Sequence, residues 1–226
     1  MKMNFARYRK FFAVFATISA VILYLFYNAL TPVKILPIYQ PAEVSFELVD
    51  SSLQHVKKYH KIAPFRLTNQ NGNIITQKDY EGLIYVADFF FTTCPSICPI
   101  MTDNMAGIQE KLIDDNSVKL LSFSVTPAID SVPQLKKYAL EKGVNDAKWN
   151  LLTGDKKAIY TLARKSYFVV KEDGDGGPLD MIHTENFVLV DPDKRIRGYY
   201  DGTDKQAMET LLEDIAVLKA EYGFAN

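Results

Sequence analysis

Cys94 and Cys98 are the only two cysteines in a chain of 226 residues, and they stand four positions apart in Thr93-Cys94-Pro95-Ser96-Ile97-Cys98-Pro99. They follow directly on the hydrophobic run at residues 83–91. A dithiol at the end of a buried strand and the mouth of a helix meets backbone N–H groups that favour the reactive thiolate. That chemistry is redox exchange or metal binding. A redox motif of the thioredoxin type has two residues between its cysteines, and here there are three. Side chains at i and i+4 share a helix face with Cβ atoms about 5–6 Å apart, and a relaxed disulfide wants roughly 3.5–4.5 Å. Two thiolates bound at about 2.3 Å to one ion hold their sulfurs apart without distortion. The spacing therefore leans toward a shared metal, with redox exchange and a short structural disulfide as the competing readings. So small a disulfide loop stabilises little by chain entropy.

A third ligand has to come from elsewhere in the chain, which holds three histidines. His55 and His60 fall in the polar stretch 54–61 and read as solvated side chains. His183 follows the glycine-rich segment 174–178 and precedes the strand expected at 185–190, a loop-to-strand junction of the kind that carries functional groups. Two cysteines and one histidine suit Cu(I), whereas zinc usually takes a fourth ligand. The methionines after the cysteines recur at helical spacing and read as core, with Met101 alone close enough to support a site.

The run Asp88-Phe89-Phe90-Phe91-Thr92-Thr93-Cys94-Pro95-Ser96-Ile97-Cys98-Pro99-Ile100-Met101, then Trp149-Asn150-Leu151-Leu152-Thr153-Gly154, then His183-Thr184 ahead of Leu189-Val190-Asp191-Pro192, resembles the Sco/SenC family of copper proteins that serve cytochrome c oxidase assembly. The resemblance covers roughly residues 60–220. It implies a thioredoxin-like fold, copper as the bound metal, Cys94, Cys98 and His183 as its ligands, and cytochrome c oxidase subunit II as the partner. Two acidic positions depart from the family pattern. Ile182 stands where an acid often precedes the histidine, and Val125-Thr126-Pro127-Ala128-Ile129-Asp130 keeps only the last carboxylate of an acidic segment.

The elements that must position these residues read as an alternation. Residues 65–68 and 74–76 flank the turn sequence 69–73 and predict a hairpin. Residues 83–91 predict a central strand buried on both faces. A helix with its apolar stripe over 100–113 follows, then a strand at 118–125, a helix at 132–142, a strand at 149–152, a helix at 155–165 and a strand at 167–170. A hairpin of 186–190 with 195–200 and a helix at 204–222 end the chain. This order predicts a three-layer α/β domain with a mixed central sheet. The acidic, glycine-rich residues 172–177 lack the alternating ligands and closing glutamate of a calcium loop and read as a flexible connection.

Residues 11–30 carry no charge; as a helix rising about 1.5 Å per residue they match the roughly 30 Å hydrocarbon core of a bilayer. A cleaved secretory signal is the alternative, but its apolar region runs only about 7–15 residues, and Tyr27 spoils the small-x-small pattern before Ala29. Lys2, Arg7, Arg9 and Lys10 at the near end, with Tyr24 and Tyr27 at the far one, indicate an N-terminus inside and the domain outside, in the periplasm or an equivalent space. The expected division is a basic cytoplasmic segment at 1–10, a transmembrane anchor at 11–30, a proline-bearing tether at 31–60 and one domain at 61–226. The net charge of -1 argues against nucleic acid, which demands a basic face. An extracytoplasmic compartment is oxidising, so a dithiol that binds Cu(I) there requires a thiol reductant as a partner. The reading is a membrane-anchored copper chaperone. A thiol-disulfide reductase in which Cys94 attacks and Cys98 resolves is the alternative, and a structural or peroxide-handling domain a third.

Overall fold

The computed structural model describes residues 8–30, 34–44, 60–170, 182 and 184–224. The chain divides into two compact units between Ile35 and Leu36. In the first, the uncharged run forms α1 (Arg9–Leu30), whose 22 residues extend about 33 Å. Its apolar side chains are exposed, and it is long and apolar enough to cross a membrane.

The second unit is built on β1 (Arg66–Asn69), β2 (Ile74–Thr76), β3 (Ile84–Phe90), β4 (Val118–Ser124), β5 (Trp149–Thr153), β6 (Asn186–Val190) and β7 (Ile196–Asp201). They form one sheet in the order β2-β1-β5-β4-β3-β6-β7. The central strands β3, β4 and β5 are parallel, and β1, β6 and β7 join antiparallel to their inner neighbours. A near-continuous apolar sequence makes β3 the buried middle, because both of its faces must be covered. Ile84, Val86 and Phe90 face one way, into a core with α2 (Ile97–Lys111), α3 (Val132–Glu141) and α5 (Lys205–Tyr222). Tyr85, Ala87 and Phe89 face the other way, toward α4 (Lys156–Lys165). The expected three layers follow from this alternation.

Local chemistry sets the helix ends. Asp155 caps α4 by accepting from the Ala158 N–H, and Asp204 caps α5 by accepting from the Gln206 N–H. Gly223, at φ 70°, closes α5 in the left-handed conformation that costs glycine little.

Three expectations are corrected. Residues 167–170 form no strand: the Tyr167 N–H bonds to Leu162 O and the Val169 N–H to Ala163 O, so the chain winds off the end of α4. Tyr167, Phe168, Val169 and Val170 are all buried, and an apolar run in a buried turn reads like a strand in sequence. His60 is not a solvated side chain. Its Nε2 lies 2.8 Å from Ser166 O and its ring packs 4.5 Å from that of Phe168, and burial lowers its pKa. Part of the stretch read as tether belongs to the compact unit. Leu36 is buried, Tyr39 N–H bonds to Ile196 O along β7, and the Arg197 guanidinium donates to the carbonyls of Leu36 and Pro37.

Candidate metal and thiol site

The cysteines lie where β3 leaves the sheet. The Cys94 N–H closes a turn onto Phe91 O at 3.3 Å, and α2 begins at Ile97, so Cys98 sits in its first turn. Pro99 is tolerated there because N–H groups of the first turn need no intrahelical acceptor. Both thiols are free and buried, at 7% exposure for Cys94 and 4% for Cys98.

The two thiols differ in acidity. Burial pushes the Cys94 thiol up, but hydrogen bonds from the Ser96 backbone, the Cys98 thiol and N–H, and the Ser96 hydroxyl outweigh it, so its pKa lies below the ordinary value. Burial drives Cys98 up to about 12, helped by its hydrogen bond to Cys94 and the negative fields of Cys94 and Asp88. The pair is one ready nucleophile beside one held thiol.

Asp88 is the one acid in the apolar strand β3. It is 2% exposed and accepts from the Ser122 hydroxyl, which itself accepts from the Trp149 indole N–H at 2.8 Å. Burial lifts Asp88 to about 7 despite the bond from Ser122. A lone carboxylate in a run that is otherwise hydrophobic was the signal for it, since a buried acid is costly without a reason. Trp149 is buried in the core and also holds Ser122.

Asp130 is fully buried beside the turn that leads to Cys94. It accepts from the Thr92 hydroxyl at 2.6 Å and the Thr92 N–H at 3.3–3.4 Å, from the Ser124 hydroxyl at 2.6 Å and from the Thr126 hydroxyl at 3.1 Å. Thr92 has no distinguishing signal in the sequence.

The structure thus brings Cys94 and Cys98 together. His183, the expected third ligand, lies outside the described residues, as do His55 and residues 172–177. Its neighbours Ile182 and Thr184 are buried at the entry to β6. Among the described residues no group of three His, Cys, Asp or Glu side chains could hold a metal ion. Met101 is completely buried in the core and packs as a hydrophobe.

The sequence profile of the SCO1/SenC family matches residues 53–219, about three-quarters of the chain. The chain belongs to the SCO1/SenC family. The SCO1 protein homolog of Bacillus subtilis (strain 168) is 34% identical over 158 residues, 69% of this chain and 81% of that protein. Among solved SCO1/SenC structures, BsSco is described as carrying a disulfide switch and as a member of the Sco family of cytochrome c oxidase assembly proteins. It is 32% identical, with a TM-score of 0.61 over 70% of this chain and 93% of its own. ScoI of Bradyrhizobium japonicum, solved with copper bound, is 27% identical, with a TM-score of 0.55 over 69% of this chain and 99% of its own. The mixed seven-stranded sheet of this chain is the thioredoxin-like fold of the SCO1/SenC family.

Proposed function

We propose that this SCO1/SenC chain is a membrane-anchored copper chaperone that works outside the cytoplasmic membrane and delivers copper to the dinuclear site of cytochrome c oxidase subunit II. The observation that carries the reading is the pair of free, buried thiols of unequal acidity held together on one strand-to-helix turn. Thiolates select Cu(I), and imidazole tolerates it. Cys94 and Cys98 hold the cargo from the turn and from α2, and His183, arriving just before β6, completes the set. Metal binding replaces the Cys98 S–H bond and releases the proton to solvent, because a ligating sulfur must be the thiolate. Transfer is ligand exchange without redox change: a client thiolate adds as a chaperone thiolate leaves, and the recipient's larger ligand set drives release.

The apolar helix α1 supports the anchor, and the basic residues before it support an N-terminus inside. The domain then stands in an oxidising space, and a thiol reductant keeps the pair competent.

The difference in thiol acidity also favours a second reading, a thiol-disulfide reductase. The Cys94 thiolate attacks a client disulfide, Cys98 resolves the mixed disulfide, and the client leaves reduced while Cys94 and Cys98 become oxidised. The external reductant resupplies the two electrons.

The test loads the reduced domain with Cu(I) and compares copper retention against a chelator in the unaltered protein, His183→Ala and Cys98→Ser, with a disulfide-reductase rate alongside. The chaperone reading expects both substitutions to weaken retention by at least about tenfold. Equal retention in all three defeats it, and a full reductase rate in His183→Ala with unchanged copper retention selects the second reading.

A further inference from the structure

We infer that Asp130 is a positioning residue for Cys94, acting through Thr92. Thr92 lies two residues before Cys94, and both of its polar groups go to one carboxyl: Oγ1 donates to Oδ1 at 2.6 Å, and N–H points at both oxygens at 3.3–3.4 Å. That double attachment fixes the Thr92 backbone and its side-chain rotamer together. The Gln134 amide, from α3, donates to the same hydroxyl at 3.0 Å, so Thr92 Oγ1 is used as donor and acceptor at once.

The other side of the carboxyl is tied to β4 and the connection after it. Ser124 donates to Oδ2 at 2.6 Å and Thr126 at 3.1 Å. The Val125 N–H bonds to Phe90 O at 2.8 Å, which keeps the two strand ends side by side. Asp130 therefore transmits the position of the rigid sheet to the cysteine turn. With the Cys94 N–H held by Phe91 O, the turn is restrained at Thr92 and again at Cys94. A ligand on a turn, unlike one on a strand or helix, has no ladder of its own, and its geometry depends on such supports. Cys98 needs none, because α2 carries it.

The inference rests on the thiol site proposed above, and its test separates the two. Thr92→Val keeps the shape of the side chain and removes the hydroxyl, Thr92→Ser keeps the hydroxyl, and Ser124→Ala removes an equally short bond to Asp130 on the side away from the cysteines. Two quantities are read on the reduced protein: Cu(I) affinity by chelator competition, and the rate at which Cys94 reacts with a small aromatic disulfide, which involves no metal. Melting temperature reports the cost to the fold. Thr92→Val is expected to lower Cu(I) affinity by about tenfold, in the range for supporting groups around a metal ligand, and to change the Cys94 rate severalfold. Thr92→Ser restores both, and Ser124→Ala, which leaves Thr126 on Oδ2, moves both in the same direction by less. No change in affinity or rate from Thr92→Val, or a failure of Thr92→Ser to restore them, overturns the positioning role. Should the unaltered protein fail to bind Cu(I), the chaperone reading falls, and the thiol rate alone decides for or against Asp130.

Discussion

Cys98 is the weaker acid of the pair because of its surroundings, and Asp88 contributes to them. Ser122, itself held by the Trp149 indole N–H, satisfies part of the Asp88 carboxyl, yet among the described residues no cation is one of its hydrogen-bonding partners. Its pKa of about 7 in the folded state stands above the ordinary carboxylate value of 3.8. Between those limits the unfolded chain ionises this group while the folded one keeps the proton. Stability from Asp88 is greatest below pH 4 and is lost as the pH rises through 7. The shift sets a ceiling of about 4 kcal/mol on that loss. Asp88→Asn keeps an acceptor for Ser122 and removes the charge. Its stability relative to the unaltered domain, measured by urea unfolding, is expected to rise between pH 4 and pH 8; a pH-independent difference refutes the assignment. At this scale the sequence was legible for the two cysteines, whose spacing announced a shared site. It was silent on Thr92, because a threonine in a turn carries no mark of the buried carboxyl it meets.

At the scale of elements, β3 and α2 were readable because apolar continuity and helical periodicity are local properties, and they deliver Cys94 and Cys98 to one place. The run at 167–170 misled because burial alone makes a sequence apolar, and only the backbone partners on α4 show that it is not a ladder. The docking of the segment at Leu36 was equally invisible. Arg197 is 1% exposed and holds Asp191 and Glu221 as well as the carbonyls of Leu36 and Pro37. Removing one member of a buried pair strands the other. Arg197→Leu is therefore expected to cost about 3 kcal/mol in denaturant unfolding of the domain, and a loss below about 1 kcal/mol, the scale of an exposed ion pair, contradicts that account.

For the whole molecule, that docking means the domain draws on residues well ahead of its first strand. A fragment of residues 34–226 is expected to melt about 6–12 °C above one of residues 60–226, because the longer one keeps Leu36 buried and the Arg197 donors paired. Equal melting temperatures mean that the segment adds nothing. The sequence by itself determined the α/β alternation, the apolar helix at the start and the cysteine pair, since each is written in the spacing of neighbouring residues. The unequal acidity of those thiols, the carboxyl that grips Thr92 and the arginine that holds Leu36 were decided only by the tertiary structure. Each depends on groups tens of residues apart meeting away from water, where burial and hydrogen bonding, not residue type, set the chemistry.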